Sequence, residues 1–430
     1  MKNLDYASRK EIFGWAMYDF ANSGFTTVVL TAIFNTYYVN VIAGHLSNGE
    51  ATLFWTLVIG FANGLVLLTA PIVGAIADYS AAKKRFLAVT TVGCVVFTAL
   101  LALLGPRDVI LTGVFVVMAS VMFYSGENLI AAFLPEISPP EKMGRISAFG
   151  WTLGYIGGLL ILGLCLAYVS YAETRLQTAQ QYVPVTMLIV AACFGLASLP
   201  TFLWVREAAK PQHSGAPVNY LRIGYARLHS TWQHARHYRD LFRSLLCLMI
   251  FYCGINTVVI LAAVYANEVM GFSTQDAIML ILVVNITAAV GAFVFGWVED
   301  IIGSLTTIKL TLLIWVIAMI MAYFTEQRGG FWIVANLIGL ALGSSQSAGR
   351  AIVGLFSPAA RSGEFFGLWG LATKLSAIIG PISYGLITRL SDGDHRLALI
   401  STCVFFIAGF LLLFTVDELC GRAAAAKVFE

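Results

Sequence analysis

Charge is what this 430-residue chain has least of. Asp, Glu, Lys and Arg make up 11% of it, against about 25% in an ordinary soluble protein. That is too little to coat a water-facing surface, so a soluble multi-domain enzyme is excluded. Polar stretches of low hydrophobicity are scarce too, which excludes a disordered chain. The phosphate-cradling Gly-x-x-x-x-Gly-Lys-Ser/Thr loop is absent, and no polar segment is long enough to hold a nucleotide. ATP-driven pumping by this chain is not expected. No Ser/His/Asp or His-Glu-x-x-His arrangement occurs, so the chain reads as a non-enzyme with no cofactor. The seven cysteines (Cys94, Cys165, Cys193, Cys247, Cys253, Cys403 and Cys420) form no Cys-x-x-Cys pair, and six lie in apolar runs. They read as small hydrophobes, with neither a disulfide framework nor a metal site. The net charge of +3 is scattered through short loops and makes no case for nucleic acid.

Apolar residues fill the space that charge leaves, at 59% of the chain against about 45–50% in soluble domains. The apolar runs are roughly 20 residues long, enough for a helix to cross a bilayer and about twice the length of a barrel strand. Twelve such windows occur, near 14–42, 52–77, 86–105, 109–134, 146–170, 184–205, 244–266, 276–298, 308–325, 331–355, 365–388 and 397–416. The chain is therefore expected to be an all-α polytopic membrane protein with twelve transmembrane helices. The first run begins near Ile12 and exceeds the roughly 7–15 residues of a signal peptide's apolar core, so it reads as a retained span. With the N-terminus inside, inner segments hold 19 Lys/Arg and outer loops five, Arg107, Arg175, Arg328, Arg389 and Arg396. That asymmetry puts both termini in the cytoplasm. Short loops and the lack of a lumenal domain suggest a bacterial inner membrane.

The two halves of the sequence repeat each other. Gly74-Ala-Ile-Ala-Asp78, followed by Lys83-Lys84-Arg85, returns as Gly296-Trp-Val-Glu299-Asp300, at an offset of 222. Ser138-Pro139 with Gly144 returns as Ser357-Pro358 with Gly363, at an offset of 219. Two parallel six-helix repeats follow, with an N-terminal bundle over 1–205, a linker over 206–243 and a C-terminal bundle over 244–430 with a short tail. Within the linker, Leu221, Tyr225, Leu228, Trp232, Ala235 and Leu241 recur at helical spacing among arginines. This predicts an amphipathic helix lying on the inner leaflet of the bilayer. His229, His234 and His237 sit on it at a spacing that suits interfacial histidines better than a metal pair.

Six plus six spans, with Gly-x-x-x-Asp and basic residues between the second and third, resemble the major facilitator superfamily. A narrower resemblance rests on Gly14-Trp-Ala-Met-Tyr-Asp19-Phe-Ala-Asn22-Ser, Phe133-Leu-Pro-Glu136, Gly144-Arg145 and Gly150-Trp-x-Leu-Gly154-Tyr-x-Gly157-Gly158. These are similar to the autophagy-22-like (UMF1) branch. Its vacuolar members are associated with amino-acid efflux, and the resemblance implies that class only weakly. It also implies that spans 1, 4, 7 and 10 line a central cavity.

A charge near the bilayer centre costs about 2.5–3.5 kcal/mol and needs a partner or a wet cavity. Asp19 in span 1, Glu127 in span 4, Arg350 in span 10 and Lys374 in span 11 are such charges. Asp19, with Asn22 on its face, reads either as a proton-binding carboxylate or as a structural acid. Glu127, beside Asn128, is expected across the cavity from Gln346 and Arg350. An ion pair there would hold a gate, grip a substrate carboxylate or simply join the halves. Lys374 would neutralise Asp19 or Glu127, or hold an anion. Asn256 and Asn285 are further polar candidates. Gly60 and Gly64, and Gly150, Gly154 and Gly158, read as helix-packing steps. Gly74, Asp78, Arg85, Arg145, Gly296 and Asp300 are expected to latch the halves at the inner surface, or only to set topology. The favoured function is a secondary transporter of a small polar solute, with amino acids or small peptides as the leading guess. A small-molecule substrate, protons and the bilayer are its expected partners, and the chain is expected to be a monomer. Export of an amphipathic compound or lipid, and a non-transporting sensor or assembly factor, are the alternatives.

Overall fold

The computed structural model describes residues 7–46, 48–207, 220–233 and 235–426. Among the described residues, twelve helices are long and apolar enough to cross a membrane. Spans 1 to 6 run over Arg9–Ile42, Gly49–Ser80, Lys83–Leu103, Val109–Ile137, Pro140–Thr174 and Ala179–Trp204. Spans 7 to 12 run over Arg239–Ala262, Gln275–Ile302, Ser304–Phe324, Arg328–Phe356, Ala359–Leu390 and His395–Thr415. The described residues contain no strand. Twelve spans were legible because each is a long apolar run broken by a polar turn. The ends shift by a few residues because the helices continue past the apolar runs into polar residues. Span 1 starts early, where Ser8 and Glu11 form a capping box.

Packing repeats between the halves. Span 1 lies against spans 5 and 6, span 2 against span 4, and span 3 against spans 4 and 6. Spans 7 to 12 reproduce these pairings in the same order. The halves meet along two symmetric seams, span 2 against span 11 and span 5 against span 8. With an even number of spans, Arg9 and Ala426 lie at one end of the bundle, here called the terminal end.

Span 1 changes its winding. It is α-helical over Arg9–Gly24 and π-helical over Phe25–Ala32 and again over Tyr38–Ile42. The amide of Ile33 reaches back to the Val28 carbonyl at 3.0 Å, and that of Ala43 to Tyr38 at 2.8 Å. Such wide turns concentrate at functional helices.

The linker contains the expected helix, over Tyr220–Gln233. Its placement differs from the expectation of a helix on a leaflet. It is seated on span 2, with Gly224 against Ile72 and Ile76 and Arg227 over the Tyr79 ring at 5.3 Å. Thr231, buried, donates to the Glu364 carboxylate of span 11, and Arg361 reaches both Thr231 and Glu364. The helix therefore bridges one seam at the terminal end, because its small and polar positions find partners there. His229 is exposed and pairs with Gln233, while His237 meets the Ala424 carbonyl. His234 and the side chains of Leu221, Leu228 and Trp232 lie outside the described residues.

Candidate functional site: a central charge pair and two terminal seams

Asp19 and Asn22 are both buried on span 1, one turn apart. The Oδ2 atom of Asp19 accepts a hydrogen bond from Nη1 of Arg350 at 2.7 Å. Arg350 was expected to face Glu127; the structure pairs it with Asp19. The reason lies on span 5, which engages the other two nitrogens of the guanidinium. Nε donates to Ser147 Oγ at 3.1 Å and Nη2 to the Ser147 carbonyl at 2.6 Å. The rings of Trp15 and Trp151 stand 4.7 and 5.3 Å away. Burying such a charge costs several kcal/mol. A carboxylate, a serine and two indoles offset that cost. Gly150 makes the room: a Cβ there would fall 2.6 Å from Arg350 Nη2 and 2.8 Å from Trp15. Gly154 and Gly158 do the plainer work of letting span 1 approach, facing Ser23 and Thr27. Asp19–Arg350 thus joins spans 1 and 5 to span 10 across the two halves.

Glu127 and Lys374 form a separate station. Both are half-buried, one on each half, and each acts on the other's charge. Among the described residues no contact ion pair within 4 Å joins them. Lys374 Nζ lies over the Tyr124 ring, 3.0 Å from its centroid. Asn128 is buried beside Gly370, and its Nδ2 has no hydrogen-bond partner among the described residues. Gln346 faces span 5, accepting from the Tyr155 hydroxyl. Asn256 donates to Ser376 Oγ at 2.9 Å, and Asn285 to its own helix at Ile281. Gln346 and Asn256 therefore brace neighbouring helices, while Glu127 and Lys374 stay electrically linked but uncommitted.

The terminal end is closed by the repeated loop motif. Both oxygens of Asp78 accept backbone amides at the start of span 11, from Gly363 at 3.0 Å and Glu364 at 2.9 Å. A carboxylate is well placed at a helix N-terminus. Gly74 lets the Gly363 backbone approach. In the second copy, Asp300 accepts the Arg145 amide of span 5 at 3.1 Å and faces its guanidinium at 3.5 Å. Arg145 also covers Trp297 at 4.4 Å, and Gly296 meets Ala148. Arg85, expected in the latch, is exposed and forms no ion pair among the described residues. Lys83 takes its place. It is fully buried, 3.2 Å from Asp78, paired with Glu136 and 2.8 Å from Ser362 Oγ. Among the described residues, hydrogen bonds and ion pairs between the halves reach from the terminal end to Tyr155–Gln346 and no further.

Sequence reasoning missed Ser147, Trp15, Trp151, Glu136 and Lys83's special place. Trp15, Trp151 and Glu136 stood inside the motifs that carried the family resemblance, which was the available signal. Ser147 carried none.

Comparison with known proteins bears on the whole chain. Residues 7–426 match the family described as "Vacuole effluxer Atg22 like". The chain is 26% identical over 412 residues to the uncharacterized MFS-type transporter YxiO of Bacillus subtilis (strain 168), covering 95% of each. It is 22% identical over 329 residues to autophagy-related protein 22-1 of Aspergillus fumigatus, covering 70% of this chain and 53% of that one. The chain thus spans about half the length of that fungal relative. Among solved structures, the proton:xylose symporter XylE aligns with a TM-score of 0.72 at 14% identity, covering 96% of each chain. FucP in its outward conformation aligns at 0.68 and 15%, covering 95% of this chain and 98% of that one. These likenesses show a major facilitator fold, an integral membrane protein and a transporter of that type. With the match running from residue 7 to residue 426, the chain belongs to the Atg22-like vacuole effluxer family.

Proposed function

We propose that the chain is a proton-coupled secondary transporter of a small zwitterionic solute, an amino acid or small peptide, working by alternating access. The observation that carries this reading is the separation of two charge stations. Arg350 and Asp19 satisfy each other and hold the halves together. Glu127 and Lys374, one on each half, have no contact ion pair. A zwitterion carries one charge for each, its ammonium for Glu127 and its carboxylate for Lys374. Binding it would draw the halves together at mid-depth. The family description supports efflux as the direction, and YxiO supports a bacterial setting. The reading also has both termini cytoplasmic, as the 19-to-5 charge asymmetry favours. The bundles 1–205 and 244–430 move as rigid bodies about the linker, within one monomer in a bacterial inner membrane. A membrane potential supplies about 2.3 kcal/mol per charge per 100 mV, and a pH unit about 1.36.

The test is proton movement in proteoliposomes carrying a lumenal pH dye. Pooled amino acids are added under an imposed gradient to wild type, Asp19→Asn and Glu127→Gln. A solute-dependent signal in wild type that is lost in Glu127→Gln supports the reading. A signal equal in all three places coupling elsewhere. Silence with every pool, from folded protein, overturns it.

A further inference from the structure

The second loop motif contains a carboxyl that the repeat does not explain. At the offset that maps Asp300 on Asp78, Glu299 maps on Ala77, an apolar residue. The structure buries Glu299 at 3% exposure. Ser304 Oγ donates to its Oε1 at 2.6 Å. No Lys or Arg nitrogen lies within 4 Å of it among the described residues. The charged groups around it are accounted for. On its own helix, Asp300 is held by Arg145. On the C-terminal helix Glu418–Ala426, Glu418 is held by Arg422 at 2.6 Å. Both of these acids act on Glu299 as like charges. Glu141 and Arg422 line a cavity beside it, together with Pro140, Ser304 and Leu355.

The cover over Glu299 comes from the other half of the chain. A Cβ on Gly144, at the start of span 5, would fall 2.6 Å from the Glu299 carboxyl carbon and 2.8 Å from Oε2. The missing side chain at Gly144 lets span 5 close tightly over the acid. Its burial therefore depends on the closed seam. An ionised carboxylate without a cation pays several kcal/mol for burial, and protonation removes that cost. Parting of spans 5 and 8 lifts the cover and returns the carboxyl to water, where it ionises above about pH 4.3.

We propose that Glu299 is a proton site of the terminal seam, occupied while the halves are closed there and emptied when they part. The closed form then binds one more proton than the open form. Its advantage is full at low pH and is lost as pH rises. Between the solvated and buried titration ranges, the closed-to-open ratio falls about tenfold per pH unit. This rests on the alternating-access reading but on no particular substrate.

The experiment follows the seam directly, without any solute. Spin labels are placed at Arg85→Cys and Ile301→Cys in the full chain, with Cys420→Ser removing the exposed thiol. Distances are measured by double electron–electron resonance between about pH 5 and about pH 8, across the window in which a solvated carboxyl is ionised. The expected result is a short distance at low pH, with a longer population growing as pH rises. In E299Q the short distance persists at every pH. S304A, which removes the hydrogen bond to Oε1, moves the wild-type transition to higher pH. Infrared spectra report a protonated carboxyl band in wild type that E299Q lacks, which stands as the readout if the labelled variant fails to fold. A wild-type distance that ignores pH, or an E299Q response equal to wild type, overturns the proposal. Loss of solute transport with the pH response intact would overturn only the substrate reading.

Discussion

Arg350 is engaged by the protein at every nitrogen. Each of its three donates within the protein, to Asp19 or to Ser147. Replacing it by lysine keeps the charge and loses the planar fork. Asp19→Asn, which removes one partner of the buried pair, should destabilise the folded chain by about 3–5 kcal/mol, and Arg350→Lys by less. Thermal unfolding in detergent checks this. Glu127→Gln and Lys374→Met should do the opposite, lowering solute flux in proteoliposomes by tenfold or more, about 1.4 kcal/mol, while leaving the unfolding temperature near wild type. The four charged residues were legible because an ionised group inside a 20-residue apolar run is costly and so conspicuous. Their pairing was not, since sequence gives depth along a helix but not which way the neighbouring helix turns. Lys83 and Arg85 show the same limit. Two residues apart on a helix, they point about 200° from each other, so only one can enter the latch.

At the scale of helices, the seams work by missing side chains. Gly74 admits the Gly363 backbone, and a Cβ on Gly363 would meet Asp78 Oδ1 at 2.9 Å. Gly74→Leu should therefore force spans 2 and 11 apart and hold the terminal end open. Greater maleimide labelling of cysteines introduced along the span 11 face would record it. The linker helix reinforces the same seam through Gly224, Thr231 and Arg361. Thr231→Val combined with Gly224→Leu should lift it, speed proteolysis of the linker and weaken the closed form. The amphipathic helix could be read from residue spacing. Its landing place could not, because the partners Ile72, Tyr79 and Glu364 lie more than a hundred residues away in sequence on either side.

The whole molecule is two copies of one six-helix plan, and that plan was readable from two loop motifs at nearly one offset. What the copies do differently was not readable. One seam holds a buried lysine between acids, and the other a buried acid, Glu299, that pairs with no cation among the described residues. Orientation is a property of this scale. Leu176, at 91% exposure on the turn after span 5, lies at the opposite end from Cys420. A membrane-impermeant maleimide added to intact cells should label Leu176→Cys and spare Cys420 until the membrane is opened. The reverse pattern would invert the topology.

The winding of span 1 gives the molecule an adjustable part. Asp19 sits on the α-helical stretch, anchored to Arg350, while the residues beyond Gly24 follow wider turns. A wide turn stores chain the way a slack coil stores thread. Rewound to α pitch, Phe25–Ala32 would grow longer and swing every residue beyond it around the axis, with each amide still bonded to a carbonyl. The far end of the helix can thus be re-aimed while the anchored end stays bolted, so one span serves as both hinge pin and moving blade.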